Sequence, residues 1–340
     1  MLIGIISPAS IALNRFLPAL AKISDEDFSL AGIAVLDASE WDVLPSDLNE
    51  RIELQRKKAV DACSVFGGNV YLSASDMMMD PNVDALYIAL PPAFHSKFVR
   101  MGILCGKHIL CEKPFGVDIG ESVELVRLAE SKGVVVLENY MFLRHKRLRR
   151  IIDLLSEGAL GELRLIRADF GFPFRGADDF RYAKEAGGGA LFDCGGYPIR
   201  LASELVGSEL SVLDSSLFFN GFGVDIHGSG TLGSARGLQV QVAFGMDNSY
   251  KCSLEIWGSK GCLTADRIFT PPANYEALLD IYINGKSTFE SCGREDTFEN
   301  SIRYFLSACC EDRVRSDEYK SLLQQARLVE SFREEATSWA

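Results

Sequence analysis

Residues 85–116 read ALYIALPPAFHSKFVRMGILCGKHILCEKPFG. Two strand-like apolar runs, 85–90 and 108–114, flank a stretch with helical spacing, so the segment reads as a βαβ unit with two parallel strands. The alternation continues on both sides, with LIGII at 2–6, LAGIAVLD at 30–37 and VVVLEN at 134–139 separated by helical patterns. Repeated βα units predict a Rossmann-type, doubly wound parallel sheet with helices on both faces. From about Gly161 the texture changes. LRLIRADFGF, SLFFNGFGVDIHGSGTLG, LQVQVAFGM and KCSLEIWGSKGCLTADR alternate apolar and polar residues around glycine-containing turns, the pattern of an open, mainly antiparallel sheet. SIRYFLSACC and SLLQQARLVESFREEA then return to helical spacing. The expected α/β architecture is a dinucleotide-binding domain over 1–118 and an α+β substrate-binding and oligomerisation domain over 119–340, whose last helices can fold back on the first domain.

Composition narrows the classes of function. A length of 340 residues exceeds one ordinary core and suits two domains, and 47% hydrophobic residues suit well-packed interiors. No apolar run reaches the roughly 18 residues of a membrane span, and no basic stretch precedes the first apolar segment, so a membrane or secretory role is not expected and a cytoplasmic one is. A net charge of −12 disfavours nucleic acid and anionic membranes as partners. The one basic run, RHKRLRR at 144–150, reads as a solvated or subunit-contacting helix face. Nine cysteines without a CxxC pair read as reduced thiols, and no metal site is expected.

Four places carry chemistry. After the first strand, where a dinucleotide fold has glycines to let backbone N–H groups approach a pyrophosphate, this chain has Ser7, Pro8, Ala9 and Ser10. Ser7, Ala9 and Ala12 fall at the three glycine positions of GxGxxG/A; Ser10 either offers a hydroxyl to phosphate or caps the following helix. Asp37, at the end of the second strand, suits the ribose hydroxyls of NAD and repels the 2′-phosphate of NADP, although an aspartate there is also an ordinary turn residue. Lys113 precedes Pro114 directly after a strand, at the carboxyl edge where such sheets bind ligands, and the Lys-Pro bond is a candidate for the cis form. In GGGALFDCGGYPIRLASELVG at 187–207, Asp193 and Tyr197 are four apart, facing one side of a helix start. A phenol, a carboxylate and a lysine make a plausible proton relay for an alcohol or ketone; the plainer alternative makes Asp193 a helix cap and Tyr197 a core residue.

Together these stretches resemble the Gfo/Idh/MocA oxidoreductases, the family of glucose-fructose oxidoreductase, inositol dehydrogenase and dimeric dihydrodiol dehydrogenase. VDALYIALPPAFH, CEKPFG, GALGELRLIRADF, GGGALFDCGGYPI, GSGTL and LEIWGSKGCL look like that family's segments, in its order along nearly the whole chain. The resemblance implies that Lys113 is catalytic and that Asp193 and Tyr197 complete the site, with tyrosine rather than histidine at the last position. It implies cofactor contacts at Ser7, Ala9, Ser10, Ile11 and Ala12, at Asp37, and at Leu90, Pro91, His95 and Glu112. Lys113, Arg181, Tyr197 and Arg200 are the candidate substrate contacts. Arg200 stands where the family often has Asp, Asn or His, which points to an anionic substrate group, and Arg144 stands one position later than the family's pattern.

The expected activity is therefore hydride transfer between a nicotinamide, NAD(H) in preference to NADP(H), and a hydroxyl or keto carbon of a sugar, polyol or nucleotide-linked sugar. An intact catalytic set makes the serine and alanine turn a modified cofactor site rather than an empty one. The open sheet face suggests a homodimer or homotetramer. The altered turn also leaves an alternative on the same fold, a non-catalytic sensor of nucleotide or sugar.

Overall fold

The apolar runs of the first third become six short parallel strands in the computed structural model, which describes residues 1–24, 28–41 and 47–339. They alternate with helices: β1 (Leu2–Ile6), α1 (Leu17–Ile23), β2 (Ser29–Ala34), α2 (Leu48–Phe66), β3 (Asn69–Tyr71), α3 (Ala74–Met79), β4 (Ala85–Ile88), α4 (His95–Leu104), β5 (His108–Cys111), α5 (Ile119–Lys132) and β6 (Val136–Glu138). The order across the sheet is β3-β2-β1-β4-β5-β6, the doubly wound arrangement with its reversal between β1 and β4. Strands buried on both faces need continuous apolar sequence, and β4 is buried at every position. Phe16 and Tyr87 stack face to face with centroids 3.8 Å apart, joining the helical segment after β1 to the sheet.

The second sheet grows from longer, alternating strands. Its elements are α6 (Lys146–Ser156), β7 (Leu163–Gly171), α7 (Gly196–Val206), β8 (Leu210–Phe219), β9 (Asp225–Ser234), β10 (Gln239–Gly245), β11 (Lys251–Gly258), β12 (Gly261–Asp266), β13 (Leu278–Ile283) and β14 (Lys286–Ser291). They are followed by α8 (Thr297–Cys310), α9 (Asp312–Glu334) and β15 (Thr337–Trp339). Nine strands run β14-β13-β12-β11-β7-β10-β9-β8-β15, antiparallel except where β7 meets β10 and β15 meets β8. One compact unit comprises Met1–Gly116, Gly120–Asn139 and Ser301–Leu322; the other comprises Val117–Ile119, Tyr140–Asn300 and Leu323–Ala340.

Two local readings change. The helix expected after the serine and alanine turn starts as a π-helical turn, Ala12–Phe16, before α1. The basic run is not an outer face throughout. Arg147 is 1% exposed, and its guanidinium donates to the carbonyls of Asp266 and Arg267 at 2.8 and 2.7 Å. The helical period explains this, since Arg147, Ile151 and Leu154 share the inward side of α6. Arg150 is bidentate to Glu290, so little of the run's charge is left for a polyanion. All nine cysteines are free thiols. Among the described residues no cluster of His, Cys, Asp and Glu is arranged to hold a metal, and no helix is long and apolar enough to cross a membrane.

Candidate functional site

The carboxyl ends of β1, β2, β4 and β5 lie side by side around the reversal in strand order, and every residue expected to touch a cofactor follows one of them. Hydrogen bonds extend the ladder just past the strand ends, from Ser7 N to Ala34 O, Ala89 N to Ile6 O and Glu112 N to Ile88 O. The turn after β1 keeps the glycine conformation without the glycine: Ser7 has φ +76. That value is left-handed and costs a non-glycine residue about 1 kcal/mol or more. Ile11, at the N-cap of the π-helical turn, supplies no side-chain hydrogen bond, so the helix start answers its first N–H groups with no cap from that residue. Ala9 and Ser10 are small and lie toward the surface. This arrangement fits a pyrophosphate, whose oxygens accept from helix-start N–H groups.

Beside it, Asp37 does what a turn residue does. Its Oδ1 accepts from Ser39 N at 2.6 Å and from the Ser39 hydroxyl at 2.7 Å, closing a short 3-10 turn, and those bonds hold its carboxyl below the usual range. Glu40 completes a reciprocal cap by accepting from Asp37 N at 3.1 Å. The same buried carboxylate also accepts from Ala74 N, Ser75 N and the Ser75 hydroxyl, clamping the Asp37 turn to the start of α3. Glu40 was missed from sequence, although D-x-x-E is the signal of a capping box.

The Lys113–Pro114 bond is cis. Glu112 is held from two sides, by Tyr87 Oη at 2.6 Å and Asn139 Nδ2 at 2.8 Å, and Asn139 in turn accepts from Ser301 Oγ at 2.6 Å. Burial pushes the Glu112 carboxyl up against those bonds and against Lys113. His95 is fully buried, its ring nitrogens 2.6 Å from Pro114 O and 2.7 Å from Leu90 O. Burial moves this imidazole toward its neutral form, against the pull of the two carbonyls. Both ring nitrogens thus brace backbone, at Pro114 after β5 and at Leu90 after β4.

The second unit holds the other candidates. Asp193 lies in a π-helical turn, Leu191–Gly195, that leads directly into α7 and Tyr197. It caps neither element, contrary to one sequence reading; Ala190 occupies the N-cap of the π-helical turn and Gly195 that of α7, and the N–H of Leu191 is answered by Asp225 from β9. The Asp193 carboxylate instead accepts from Arg181 Nε at 2.7 Å, while Arg181 also reaches Asp179 at 3.0 Å. Burial disfavours the Arg181 charge, but the two carboxylates outweigh it and raise its pKa. Tyr197 is enclosed by Tyr140, Phe142, Phe170 and Phe269, with ring centroids 5.0–5.9 Å away, and its hydroxyl points to Met141 Sδ at 3.8 Å. Arg200 is buried on α7, 3.9 Å from Glu204 one turn later. Asp193 and Arg181 are thus brought together, Lys113 sits with Glu112 and the braced loop in the first unit, and Arg200 is engaged within its own helix.

A doubly wound sheet with the Ser7 turn, Asp37 and Lys113 at its carboxyl edge, followed in the chain by a mixed sheet, is the architecture of a nicotinamide-dinucleotide oxidoreductase. A family model described as the oxidoreductase family with NAD-binding Rossmann fold matches residues 47–140, and one described as the GFO/IDH/MocA C-terminal domain matches residues 148–264. The chain belongs to this GFO/IDH/MocA family. It is 34% identical to a dTDP-3,4-didehydro-2,6-dideoxy-alpha-D-glucose 3-reductase of Streptomyces violaceoruber, over 98% of this chain and 95% of that one. The enzyme of the same name from Saccharopolyspora spinosa is 33% identical over 97% and 96%. The crystal structure of a 3-ketoreductase from Actinomadura kijaniata, in complex with NADP and TDP-benzene, matches with a TM-score of 0.90 and 31% identity, covering 100% of this chain and 98% of that one. Structures of that ketoreductase also include a tyrosine-to-phenylalanine variant and two lysine variants. The replaced lysine and tyrosine are as far apart in that chain as Lys113 and Tyr197 are here. The named relatives are reductases, which supports the enzyme reading and not the sensor alternative.

Proposed function

We propose that this protein reduces a keto carbon on the sugar of a dTDP-linked deoxyhexose with a reduced nicotinamide cofactor. The observation that carries this is the shared interval between Lys113 and Tyr197 and the lysine and tyrosine varied in the A. kijaniata ketoreductase. The nicotinamide supplies the hydride when bound. Lys113 Nζ and Tyr197 Oη then each hold a proton suited to the alkoxide that forms at the reduced carbon. The aromatic walls around Tyr197 restrict its phenol to few directions. Asp193, ion-paired with Arg181, is assigned as an acceptor for a neighbouring sugar hydroxyl. Arg181 and Arg200 are the cations assigned to the diphosphate, and each must loosen a present partner, Asp179 or Glu204, to serve it.

We infer a preference for NADH over NADPH from Asp37 and Glu40, two carboxylates at the ribose end of the site. The A. kijaniata relative binds NADP, so the preference is this chain's own feature to test. A homodimer through the outer face of the nine-stranded sheet is supported by one apolar row. Tyr282, Cys262, Trp257 and Leu165 are register neighbours on four adjacent strands, and Trp257 is 58% exposed. Such a patch suits a self-complementary twofold contact. The function is tested by loss of reduced-nicotinamide absorbance with dTDP-linked 3-keto deoxyhexoses and with the same sugars lacking the nucleotide. Turnover confined to the dTDP-linked substrates is expected. Equal turnover of the free sugars overturns the substrate class.

A further inference from the structure

The helix that carries Asp193 and Tyr197 is anchored by a residue from another strand. Asp225, the first residue of β9, places Oδ2 2.6 Å from Leu191 N, and the neighbouring N–H groups of Ala190 and of Asp225 itself favour its charged form. The approach leaves no room for a side chain at Gly189, whose Cβ would lie 2.3 Å from Asp225 Oδ1; its φ of +126 requires glycine as well. A Cβ on Gly188 would likewise meet the Arg181 carbonyl oxygen at 2.3 Å. The glycine run before ALFD thus admits the Asp225 carboxylate on one side and the backbone of the Arg181 loop on the other.

We propose that Asp225 is a positioning residue for the reaction: by gripping the start of this helix it fixes where Asp193 and Tyr197 stand, without touching substrate. The proposal rests on the oxidoreductase reading above. A carboxylate offers only acceptors to the N–H groups at this helix start, whereas a protonated acid or an amide can turn a donor toward them. Asp225 is buried, and burial pushes its carboxyl up to about 6 against the backbone bonds that favour the charge. The charged groups on surrounding elements are Asp193 on the helix, Arg181 and Asp179 on the adjoining loop, Asp214 on β8, Asp247 after β10, Arg333 over Phe192, and His227 on its own strand. None of them is among the causes of the shift. The anchor therefore weakens as pH falls through about 6. Global stability responds in the opposite sense. With the folded pKa raised above its ordinary value, the stability this group contributes is present at low pH and is lost as pH rises through about 6.

The test compares the parent enzyme with Asp225→Asn between pH 5 and 8, on a substrate the parent turns over. The expected result is a kcat about tenfold lower for the variant at pH 8, with KM for the cofactor unchanged, a melting temperature equal or higher, and the parent's acid limb near pH 6 flattened. Hydrogen–deuterium exchange over 189–197, corrected for intrinsic rates, should rise in the variant and in the parent below pH 6. Parent-like kcat, acid limb and exchange in Asp225→Asn overturn the positioning role. Absence of turnover by the parent overturns the oxidoreductase reading instead, and the exchange measurement then still decides whether Asp225 grips the helix. A variant that fails to fold leaves the parent's exchange to decide, and protection independent of pH counts against the proposal.

Discussion

Replacing Asp37 with asparagine should erase most of the cofactor preference. Oδ1 is occupied by two bonds from Ser39, which keep the carboxylate charged at any ordinary assay pH. A 2′-phosphate brings about 1.5–2 negative charges to the ribose edge. At a separation of about 4 Å and a dielectric near that of water, each pair of unit charges costs about 1 kcal/mol, for a total of about 1.5–2 kcal/mol. The half-buried setting of Asp37 argues for this solvent-screened end of the range rather than an interior value. NADH should therefore bind about 10- to 30-fold more tightly than NADPH. In Asp37→Asn, NADPH should tighten by about tenfold, while NADH changes by less than about fivefold through a weaker ribose contact. Titration calorimetry at low and high salt measures both affinities, and the gap should shrink at high salt because the charges are screened. Tighter NADPH binding by the parent, or a ratio that Asp37→Asn leaves unmoved, refutes the reasoning.

Three further outcomes are expected. Ser7→Gly relieves the left-handed strain but gains chain entropy when unfolded, so stability should stay within about 0.5 kcal/mol and cofactor affinity should hold; Ser7→Val, branched at the same φ of +76, should lose about 2 kcal/mol and at least about tenfold in affinity. Thermal melts and calorimetry check this, and a Val variant that behaves like the parent contradicts it. Burial of His145 lowers its pKa to about 4. Stability from its neutral form is thus present above about 6.5 and lost as pH falls toward about 4, on the order of 2–3 kcal/mol. A smaller drop in melting temperature between pH 7 and 4.5 for His145→Gln is the expected sign. Trp257→Lys should shift the species seen by light scattering toward monomer, and an unchanged mass argues against the sheet-face dimer.

Much of the first unit was legible because its determinants are local. Uninterrupted apolar runs become buried parallel strands wherever a helix can cover each face, and Lys113, Asp37 and the Ser7 turn fall at strand ends by sequence position alone. The turn shows the limit. Side-chain size announced that Ser7 could stand for a glycine, but only the backbone shows that it adopts the glycine's dihedral. Other misreadings come from partners distant in sequence. The plainer of the two readings of Asp193 was a helix cap, because an acid near a helix start often is one, yet the bond to the helix start arrives from Asp225 on β9, and Asp193 is claimed by Arg181. Arg147 looked solvated because arginine usually is, and its burial is tolerated by two carbonyls at the end of β12. Glu40 was within local reach, three residues after the aspartate it supports.

The most direct test of the central claim is steady-state turnover of a dTDP-linked 3-keto deoxyhexose by Lys113→Ala and Tyr197→Phe, with cofactor affinity measured in parallel. Lys113→Ala should bind reduced cofactor nearly as well as the parent, because the proposed contacts to pyrophosphate and ribose are the Ser7 turn and Asp37, while its kcat falls by about 10²- to 10⁴-fold. Tyr197→Phe should show a similar or smaller loss. A Lys113→Ala enzyme that keeps near-parental turnover with normal cofactor binding would contradict the account.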